Sequence, residues 1–563
     1  MVNIGIDFGS TYTTVSVYRE DTQLLEALSL SQGSPYIPSV AAVDKNAYEF
    51  GRAAKSRTGK KGVKVFKAFK MMLPELDTQV LRARGFDELN TPEQITRLFI
   101  EDVLQQVLAD LHEDSIGTLV IGVPEIWSDG INTVDGRTMI RNICQSMDFV
   151  EKVQVVSEPA AASAYFAHNF YVNTGNNFEG SILLVDYGGG TLDITLTDVA
   201  ASDGQGKNLV EIKVLARTGA GENEEGKVGK AGIVYMETVM SEAIRRADIL
   251  DEGEDLVFDG KFFKAVDALE QELQDRTKRI QDTFEEFGID DLEELAAEEF
   301  TTIEYKGEDV EISYGLLVEV YNEVIRGVFD EKLDEMMQFM DEHQVRYMDR
   351  NQDTFKIALV GGFGNFYLVK KQIEDRFKFN QYDKRQENII LNRADCEKAI
   401  SLGAALLAAG IIGIRNTAPY SIGIWAYGLD KQPCPNYAIR YKQDIEFDQV
   451  YYARGTDDEI FVIQAISGGF DRFLINFGYD DRTANFGLAK AQFAKKLSNV
   501  VTNQYHTAVV GFSLDSSGVV SIHVHDYDVF EGTIGQEDHV VELTRLGELL
   551  EVTNVGQNVF KGR

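Results

Sequence analysis

Apolar and polar positions open in a short rhythm. Residues 2–18 alternate as a strand, a D-x-G-S-T turn and a second strand. Residues 181–198 repeat that design around LLVDYGGGTLDITL, with a D-x-G-G-G-T turn in place of the first. A plain hairpin needs only one or two turn residues, whereas three glycines remove every side chain and let the backbone approach something closely. The duplication predicts two similar halves, each carrying a special loop at the same place.

Between and after the loops the rhythm is mixed. GTLVIGVPEIW (residues 117–127) predicts a buried strand ending at Pro124, and VQVVSEPAAASAYFAH (153–168) a strand, a turn at Glu158-Pro159 and an alanine-rich helix. Residues 240–300 read as helical and acidic, with TFEEFGIDDLEELAAEEF (283–300) as a solvated helical face. FKIALVGGFGNFYLVKKQIEDRF (355–377) predicts a strand, a glycine turn and a helix. Its turn falls at the C-terminal end of a buried strand, where α/β sheets place ligands. LGAALLAAGIIGI (402–414) reads as a buried helix running into a turn. From about residue 416 the pattern becomes period-two, in DEIFVIQAI, DRFLINFGY and TAVVGFSLDSSGVVSIHVHDYDVF, with turns between. The expected organisation is therefore an α/β region over 1–415 and a separate β domain over 416–563.

Composition narrows the classes. Of 563 residues 44% are hydrophobic and 26% charged, an ordinary globular balance. The formal net charge of -36 repels a nucleic-acid backbone, which argues against a general nucleic-acid binder. Cys144, Cys396 and Cys434 stand far apart and form no CxxC pair, so neither a zinc finger nor a disulfide scaffold is expected. No basic, apolar leader and no membrane-spanning run is read, and a cytoplasmic location is expected.

The loops suggest a chemistry. Backbone N–H groups of a glycine turn cradle phosphate oxygens, and the hydroxyls of Ser10 and Thr11 add donors. Asp7, Asp186 and Asp193 at the loop rims would repel one another unless a cation sits among them. Magnesium fits, because it uses few carboxylates, keeps waters and bridges phosphates. Glu158 could reach the same centre. GENEEGKV (221–228) has P-loop spacing but lacks the final Ser/Thr and fills its loop with glutamates, so it is set aside. His523 and His525 share a strand face with no third ligand evident and read as ordinary strand residues.

These motifs resemble the actin-like ATPase superfamily and, within it, the 70-kDa heat-shock protein family. IGIDFGSTYTTVSV looks like the first phosphate loop, VSEPAAASAY the connecting motif, VDYGGGTLDITL the second phosphate loop and LVGGFGNF the adenosine loop. DRTKRIQD (275–282) is similar to the adenosine-binding helix of the heat-shock branch. NTAPYSIGI resembles the opening of that family's β-sandwich domain. The resemblance implies a duplicated ribonuclease-H-like core with two lobes, followed by an all-β sandwich-like domain.

Carried over residue by residue, the resemblance places Asp7, Glu158, Asp186 and Asp193 around magnesium and the attacking water. Asp7, Asp186 and Asp193 serve the metal, and Asp186 or Asp193 positions the water. Gly9, Ser10, Thr11, Tyr12, Gly188, Gly189, Gly190 and Thr191 would cradle the phosphates, with Gly229 near the β-phosphate. Asp275, Lys278, Arg279 and Asp282 would hold ribose and adenine, with Gly361, Gly362 and Glu397 on the opposite wall. A catalytic lysine is expected from KVFKAFKMML, at Lys70 rather than Lys67. The chain departs from the family at Phe363 and Asn365, where Ser and Arg are usual, at Lys230, and in a linker without its acidic residue and leucine run. With the sequence read to Arg563, the family's full helical lid is not expected.

The implied activity is that of an ATP-driven chaperone. ATP and Mg²⁺ would be hydrolysed slowly to ADP and phosphate to control the hold of the β domain on polypeptide clients. A J-domain co-chaperone and a nucleotide exchange factor are the implied partners, with no nucleic acid or membrane. The alternative is a nucleotide-switched scaffold or regulator with a dedicated partner and little hydrolysis. A filament-forming ATPase and a small-molecule kinase fit less well.

Overall fold

In the computed structural model, the described residues are 1–30, 33–45, 47–124, 127, 136–201, 210–220, 231–249, 256, 260–347, 354–377, 396–418, 421–427, 433–440, 443–447, 449–455, 459–464, 472–476, 485–489, 507–514, 520–535, 539–542 and 550–551. The chain divides into two compact units. One comprises Met1–Ile126 with Asn142–Ile414, the other Trp127–Arg141 with Arg415–Arg563.

The first unit contains the duplication. Strands β1 (Val2–Phe8), β2 (Tyr12–Arg19) and β3 (Leu24–Ala27) form an antiparallel meander, and β4 (Ile37–Pro38) pairs with β2. Strands β5 (Val40–Asp44), β6 (Ala47–Phe50) and β7 (Val63–Lys67) make a small separate sheet. Strands β8 (Ile116–Val123) and β9 (Val150–Ser157) then join β1 in parallel, giving the order β3-β2-β1-β8-β9. The second half repeats the first four strands of this order. Strands β10 (Gly180–Tyr187), β11 (Leu192–Ala201) and β12 (Val210–Ala220) form the meander. Between them and the next sheet strand comes an acidic hairpin of β13 (Glu299–Tyr305) and β14 (Glu308–Ser313). Strand β15 (Phe355–Val360) then lies parallel to β10, and the short β16 (Gly413–Ile414) adds to β12. Each meander thus turns at its glycine loop, and each central strand carries an aspartate as its next-to-last residue, Asp7 or Asp186.

Small residues bring the halves together. The helix Glu158–Thr174 is capped by Ser157, whose Oγ accepts the Ala160 N–H, carries Pro159 in its first turn and ends at Gly175 in the left-handed region. No separate turn intervenes at Glu158-Pro159; the strand passes directly into the helix. Its alanines pack against the helix Ala399–Ala408. A Cβ on Gly403 would collide with the Ala161 carbonyl, and one on Gly5 with the main chain of Ala404 and Ala405. Ser401, on the same helix, bonds Thr14 and Ser16 through their hydroxyls at 2.9 and 2.8 Å. Aliphatic and aromatic residues of β10, β11 and the later helices build a second core.

The stretch 283–300 is not one helical face. The helix Thr277–Phe287 stops at Gly288, with φ of 78°; a short helix Leu292–Ala297 follows, and β13 begins at Glu299. Ile280 and Phe284 anchor the first helix and Leu295 the second, which leaves their acids outward.

The second unit is β-rich. One sheet contains Pro433–Ile439, Ser421–Tyr427, Arg472–Asn476, Asn485–Ala489 and Leu550–Glu551 in that order. The other is centred on Thr507–Leu514 and Val520–Asp528. Ile422, Ile424 and Ile439 of the first share a core with Val510, Phe512, Ile522 and Val524 of the second, as alternate positions of paired strands must.

Candidate functional site

The two glycine loops face each other at contact distance. A Cβ on Gly189 would come within 2.6 Å of the Thr11 hydroxyl, and one on Gly190 within 3.6 Å of the Ser10 hydroxyl. A side chain at Gly189 would require the Thr11 side chain of the first loop to move.

Both loops are held from behind by their carbonyls. Ser39 donates its hydroxyl to the Gly9 carbonyl at 2.7 Å and its N–H to the Thr11 carbonyl at 2.8 Å. Gly232 and Ile233, at the start of the helix Gly232–Arg246, donate their N–H groups to the carbonyls of Gly188 and Gly189 at 3.2 and 2.8 Å. In a trans peptide the C=O and the following N–H point in opposite directions. Tying the carbonyls of Gly9, Gly188 and Gly189 therefore turns the N–H groups of Ser10, Gly189 and Gly190 away from these supports. The Gly188 N–H closes the turn on the Thr191 carbonyl at 3.0 Å. No motif pointed to Ser39; the pairing of β4 with β2, Pro38 opposite Tyr12, carries it behind the loop.

At the foot of the loops lies a buried cluster of charge. The Lys70 ammonium sits 2.5 Å from Glu158 Oε1, with Lys70 3% and Glu158 6% exposed. Asp186 and Asp193 are register partners on β10 and β11 and are buried. Burial pushes the Asp186 carboxyl up to about 7, with Glu158 adding to the rise and Lys70 opposing it. Asp7 is raised well above the ordinary carboxylate range, first by burial and then by Glu158, with Asp186 also contributing and Lys70 again opposing. One ammonium thus serves three mutually repelling carboxylates. Gly361 closes the site from β15. Its φ of 77° and the approach of Asp186 Oδ1, 2.5 Å from where a Cβ would stand, together require glycine.

Lys67, the other lysine of KVFKAFKMML, leaves the cluster. It is bonded to both carboxylate oxygens of Asp267 at 2.9 Å, across to the helix Gly260–Asp275. Lys55 approaches Glu270 of that helix at 3.9 Å and the Tyr12 hydroxyl at 3.4 Å.

The residues expected at the base end are more open. Asp275, Lys278, Arg279, Asp282 and Glu397 are all exposed. Asn365 donates to Glu397 at 2.8 Å. Phe363 turns inward, with ring centroids 5.2 Å from Tyr187 and Tyr235 and 5.4 Å from Phe366. Gly362 has no neighbour within 4 Å of a Cβ position. Gly229, Lys230 and the GENEEGKV stretch lie outside the described residues.

Among the described residues, no group of three or more His, Cys, Asp or Glu is arranged to hold a metal by itself. The oxygen donors of Asp7, Asp186 and Asp193 nevertheless fit magnesium carried with phosphates. That ion takes one or two carboxylates directly and completes its shell with waters and phosphate oxygens. His523 and His525 are buried strand residues bonded to the Ser513 hydroxyl at 2.8 Å and the Gly535 carbonyl at 3.1 Å. No helix of the described residues is long and apolar enough to cross a membrane.

Known proteins share these motifs. The family model "Hsp70 protein" matches residues 3–210. Heat shock cognate 70 kDa protein 3 of Dictyostelium discoideum is 24% identical over 226 residues, 35% of this chain and 34% of that protein. A ribosome-associated molecular chaperone of Zygosaccharomyces rouxii is 21% identical over 464 residues, 76% of this chain and 66% of its own. The chaperone protein DnaK of Thermotoga petrophila is 22% identical over 414 residues, 73% of this chain and 59% of its own. The first of these matches spans about a third of the relative's length. Phosphate-loop motifs, repeated sheet order and these matches agree: over residues 3–210 the chain is similar to the 70-kDa heat-shock protein family.

Proposed function

We propose that the chain binds ATP with magnesium between its duplicated halves, hydrolyses it slowly to ADP and phosphate, and uses the cycle to control the hold of its β-rich unit on polypeptide clients. The observation that carries this reading is the pair of loops held by their carbonyls, with N–H groups turned away from the supports and a lysine–carboxylate cluster at their foot. Amides fixed in this way lose little freedom when they meet phosphate oxygens.

The roles follow from position. Gly9, Ser10, Thr11 and Tyr12 from one side and Gly188, Gly189, Gly190 and Thr191 from the other bind the phosphates. Lys70, held by Glu158, places a positive charge where negative charge develops on the transferred group. Asp193 and Asp186, at the start of β11 and the end of β10, orient the water. Asp7, Asp186 and Asp193 hold magnesium directly or through water, and that ion neutralises phosphate charge. Asp275, Lys278, Arg279, Asp282, Gly361, Gly362 and Glu397 bound the base end, and Gly229, outside the described residues, keeps the phosphate role that the resemblance implies. A J-domain partner and an exchange factor belong to this reading, as does a cytoplasmic location. The assignment of nucleotide work to 1–415 and client work to 416–563 is part of the same proposal.

A second reading has one observation in its favour. The adenosine loop carries Phe363, which is folded into an aromatic cluster, and Asn365, which is bonded to Glu397, where the family places Ser and Arg. A base held without a stacking arginine suits a nucleotide-switched scaffold with little turnover. Steady-state hydrolysis of Mg·ATP, with and without an unfolded polypeptide and with Asp193→Ala as control, separates the two. Slow turnover that the polypeptide accelerates and the variant loses supports the chaperone. ATP binding without turnover favours the scaffold, and absence of ATP binding overturns both.

A further inference from the structure

Ala68 stands in the left-handed region, with φ of 52°. Residues other than glycine adopt that conformation rarely, and such outliers gather at functional sites. The other left-handed non-glycines among the described residues occupy ordinary places. Gln23, Lys45 and Lys306 lie in hairpin turns, and His112, Asp248 and Gln344 close the ends of helices. Ala68 does neither. It stands between the end of β7 and the buried Lys70.

The conformation changes where the chain goes. Were β7 to continue, residues 67 and 70 would stand about 10 Å apart on opposite faces of one strand. Instead the ladder with β5 ends at the pair Val40 and Lys67, and a tight turn follows. In it the Met71 N–H donates to the Ala68 carbonyl at 3.1 Å, the Met72 N–H to the Phe69 carbonyl at 3.2 Å and the Leu73 N–H to the Lys70 carbonyl at 3.2 Å. These are bonds of the tighter, three-residue helical type. Phe69 and Leu73 anchor the turn in the core, with the Phe69 ring 5.4 Å from that of Phe99 and 5.9 Å from that of Phe8. Lys70 leaves the turn over the face of Phe8, its ammonium 5.8 Å from the centroid, and meets Glu158 at 2.5 Å. Lys67, on the other side of Ala68, goes to Asp267. One residue thus separates a lysine that links the halves from a lysine that serves the carboxylate cluster.

We propose that Ala68 is a positioning residue for ATP hydrolysis: its left-handed backbone turns the chain out of β7 so that Lys70 enters the carboxylate cluster. The role rests on the reading of that cluster as the place where ATP is hydrolysed, and Ala68 acts in it only through Lys70. A charge displaced by about 1 Å from a developing transition state loses about 100-fold in rate, so a backbone that fixes the lysine has a kinetic signature.

The test uses the full chain, single-turnover hydrolysis of Mg·ATP and calorimetric titration of ATP. Ala68→Gly and Ala68→Asn keep access to the left-handed region, whereas Ala68→Val, branched at Cβ, resists it. The glycine and asparagine variants are expected within about three-fold of the parent in both measurements. The valine variant is expected to hydrolyse about ten-fold or more slowly while binding ATP within about three-fold of the parent, because the two loops supply the affinity. Asparagine has the longer side chain, so a loss caused by bulk would fall on it as well. On a Lys70→Met background Ala68→Val should cost less than a further factor of about two, since residues that act as one unit are not additive. Should Ala68→Val not fold, Ala68→Leu, bulky but unbranched at Cβ, carries the comparison and is expected between Asn and Val in rate. A valine variant with the parent rate, an asparagine variant as slow as valine, or a full further loss on the Lys70→Met background overturns the role of Ala68 and leaves the ATP site standing. A parent chain that binds no ATP, or binds it without turnover, overturns the hydrolysis reading and this role with it.

Discussion

Lys70 and Glu158 meet 88 residues apart in sequence, Nζ to Oε1 at 2.5 Å, with both side chains almost fully buried. Their pairing joins the turn after β7 to the first residue of the helix that follows β9. Removing one partner of such a pair leaves an uncompensated buried charge, at a cost of about 3–5 kcal/mol. Lys70→Ala is therefore expected to lower stability by that order and to reduce ATP turnover about 100-fold or more, since no ammonium then faces the transferred phosphate. Lys70→Met with Glu158→Gln should recover much of the stability and none of the turnover. Chemical denaturation alongside single-turnover hydrolysis checks both; a Lys70→Ala protein that still hydrolyses ATP at the parent rate would remove Lys70 from the chemistry.

Neighbouring glycines of the second loop should differ sharply. A Cβ at residue 189 would meet the Thr11 hydroxyl at 2.6 Å, whereas one at residue 190 first meets the flexible Met71 side chain at 3.4 Å. Gly189→Ala should hold the loops apart and weaken Mg·ATP binding at least ten-fold. Gly190→Ala should change it by no more than about three-fold, the size of effect a small side-chain adjustment allows. Calorimetric titration of both variants decides; equal losses would mean that loop contact is not what sets affinity.

Much of this arrangement was legible in the sequence because it is local. Strand, turn and strand lie within some eighteen residues, so alternation and glycine placement expose both loops, their aspartates and the duplication. Of the two candidate lysines, Lys70 stands in the buried cluster and Lys67 is bonded to Asp267. The supports behind the loops were not legible. Ser39 and Ile233 act through hydrogen bonds made by tertiary placement, and no spacing rule marks such a residue. The acidic run 283–300 misled for the opposite reason. Its charge density suggests a continuous solvated helix, but a left-handed Gly288 divides it and the strand that begins at Glu299, with Phe300 buried, ends it. Phe363 stood out as a departure in the sequence, yet its inward turn depends on Tyr187 and Tyr235, which lie far from it along the chain.

The Lys67–Asp267 pair spans from the small sheet of the first half to a helix of the second. Lys55 and Glu270 stand beside it at 3.9 Å, and Gly59 and Gly260 approach with a Cβ position 3.0 Å from a Cα. These contacts link the two halves, and Lys67 and Asp267 touch none of the residues assigned to the phosphates. Asp267→Asn is expected to speed release of ADP several-fold, with more effect at low salt than at high, because the partly exposed pair is screened. The rate of the chemical step should stay within about two-fold, the range of a substitution away from the reacting centre. Stopped-flow displacement of a fluorescent ADP analogue measures the first quantity and single-turnover hydrolysis the second. Unchanged release at low salt would show that the pair does not restrain opening.

His168 gives the first unit a pH dependence of definite sign. It lies on the helix Glu158–Thr174 with its ring 6.3 Å from that of Tyr18, edge to face, and burial holds its imidazole below the ordinary value of about 6.5. Between that value and the lower folded one, the unfolded chain binds a proton that the folded chain does not. Stability is then complete above about pH 6.5 and is lost as pH falls through the window. The slope cannot exceed about 1.4 kcal/mol per pH unit for one proton, and a partly accessible ring should give well under that. His168→Gln removes the titrating group, so the difference in urea midpoint between the parent and this variant should be constant from about pH 7 to 8. Below about pH 6.5 it should shift steadily against the parent. A difference that stays flat down to about pH 5 would mean that the ring protonates as readily in the folded chain as in the unfolded one.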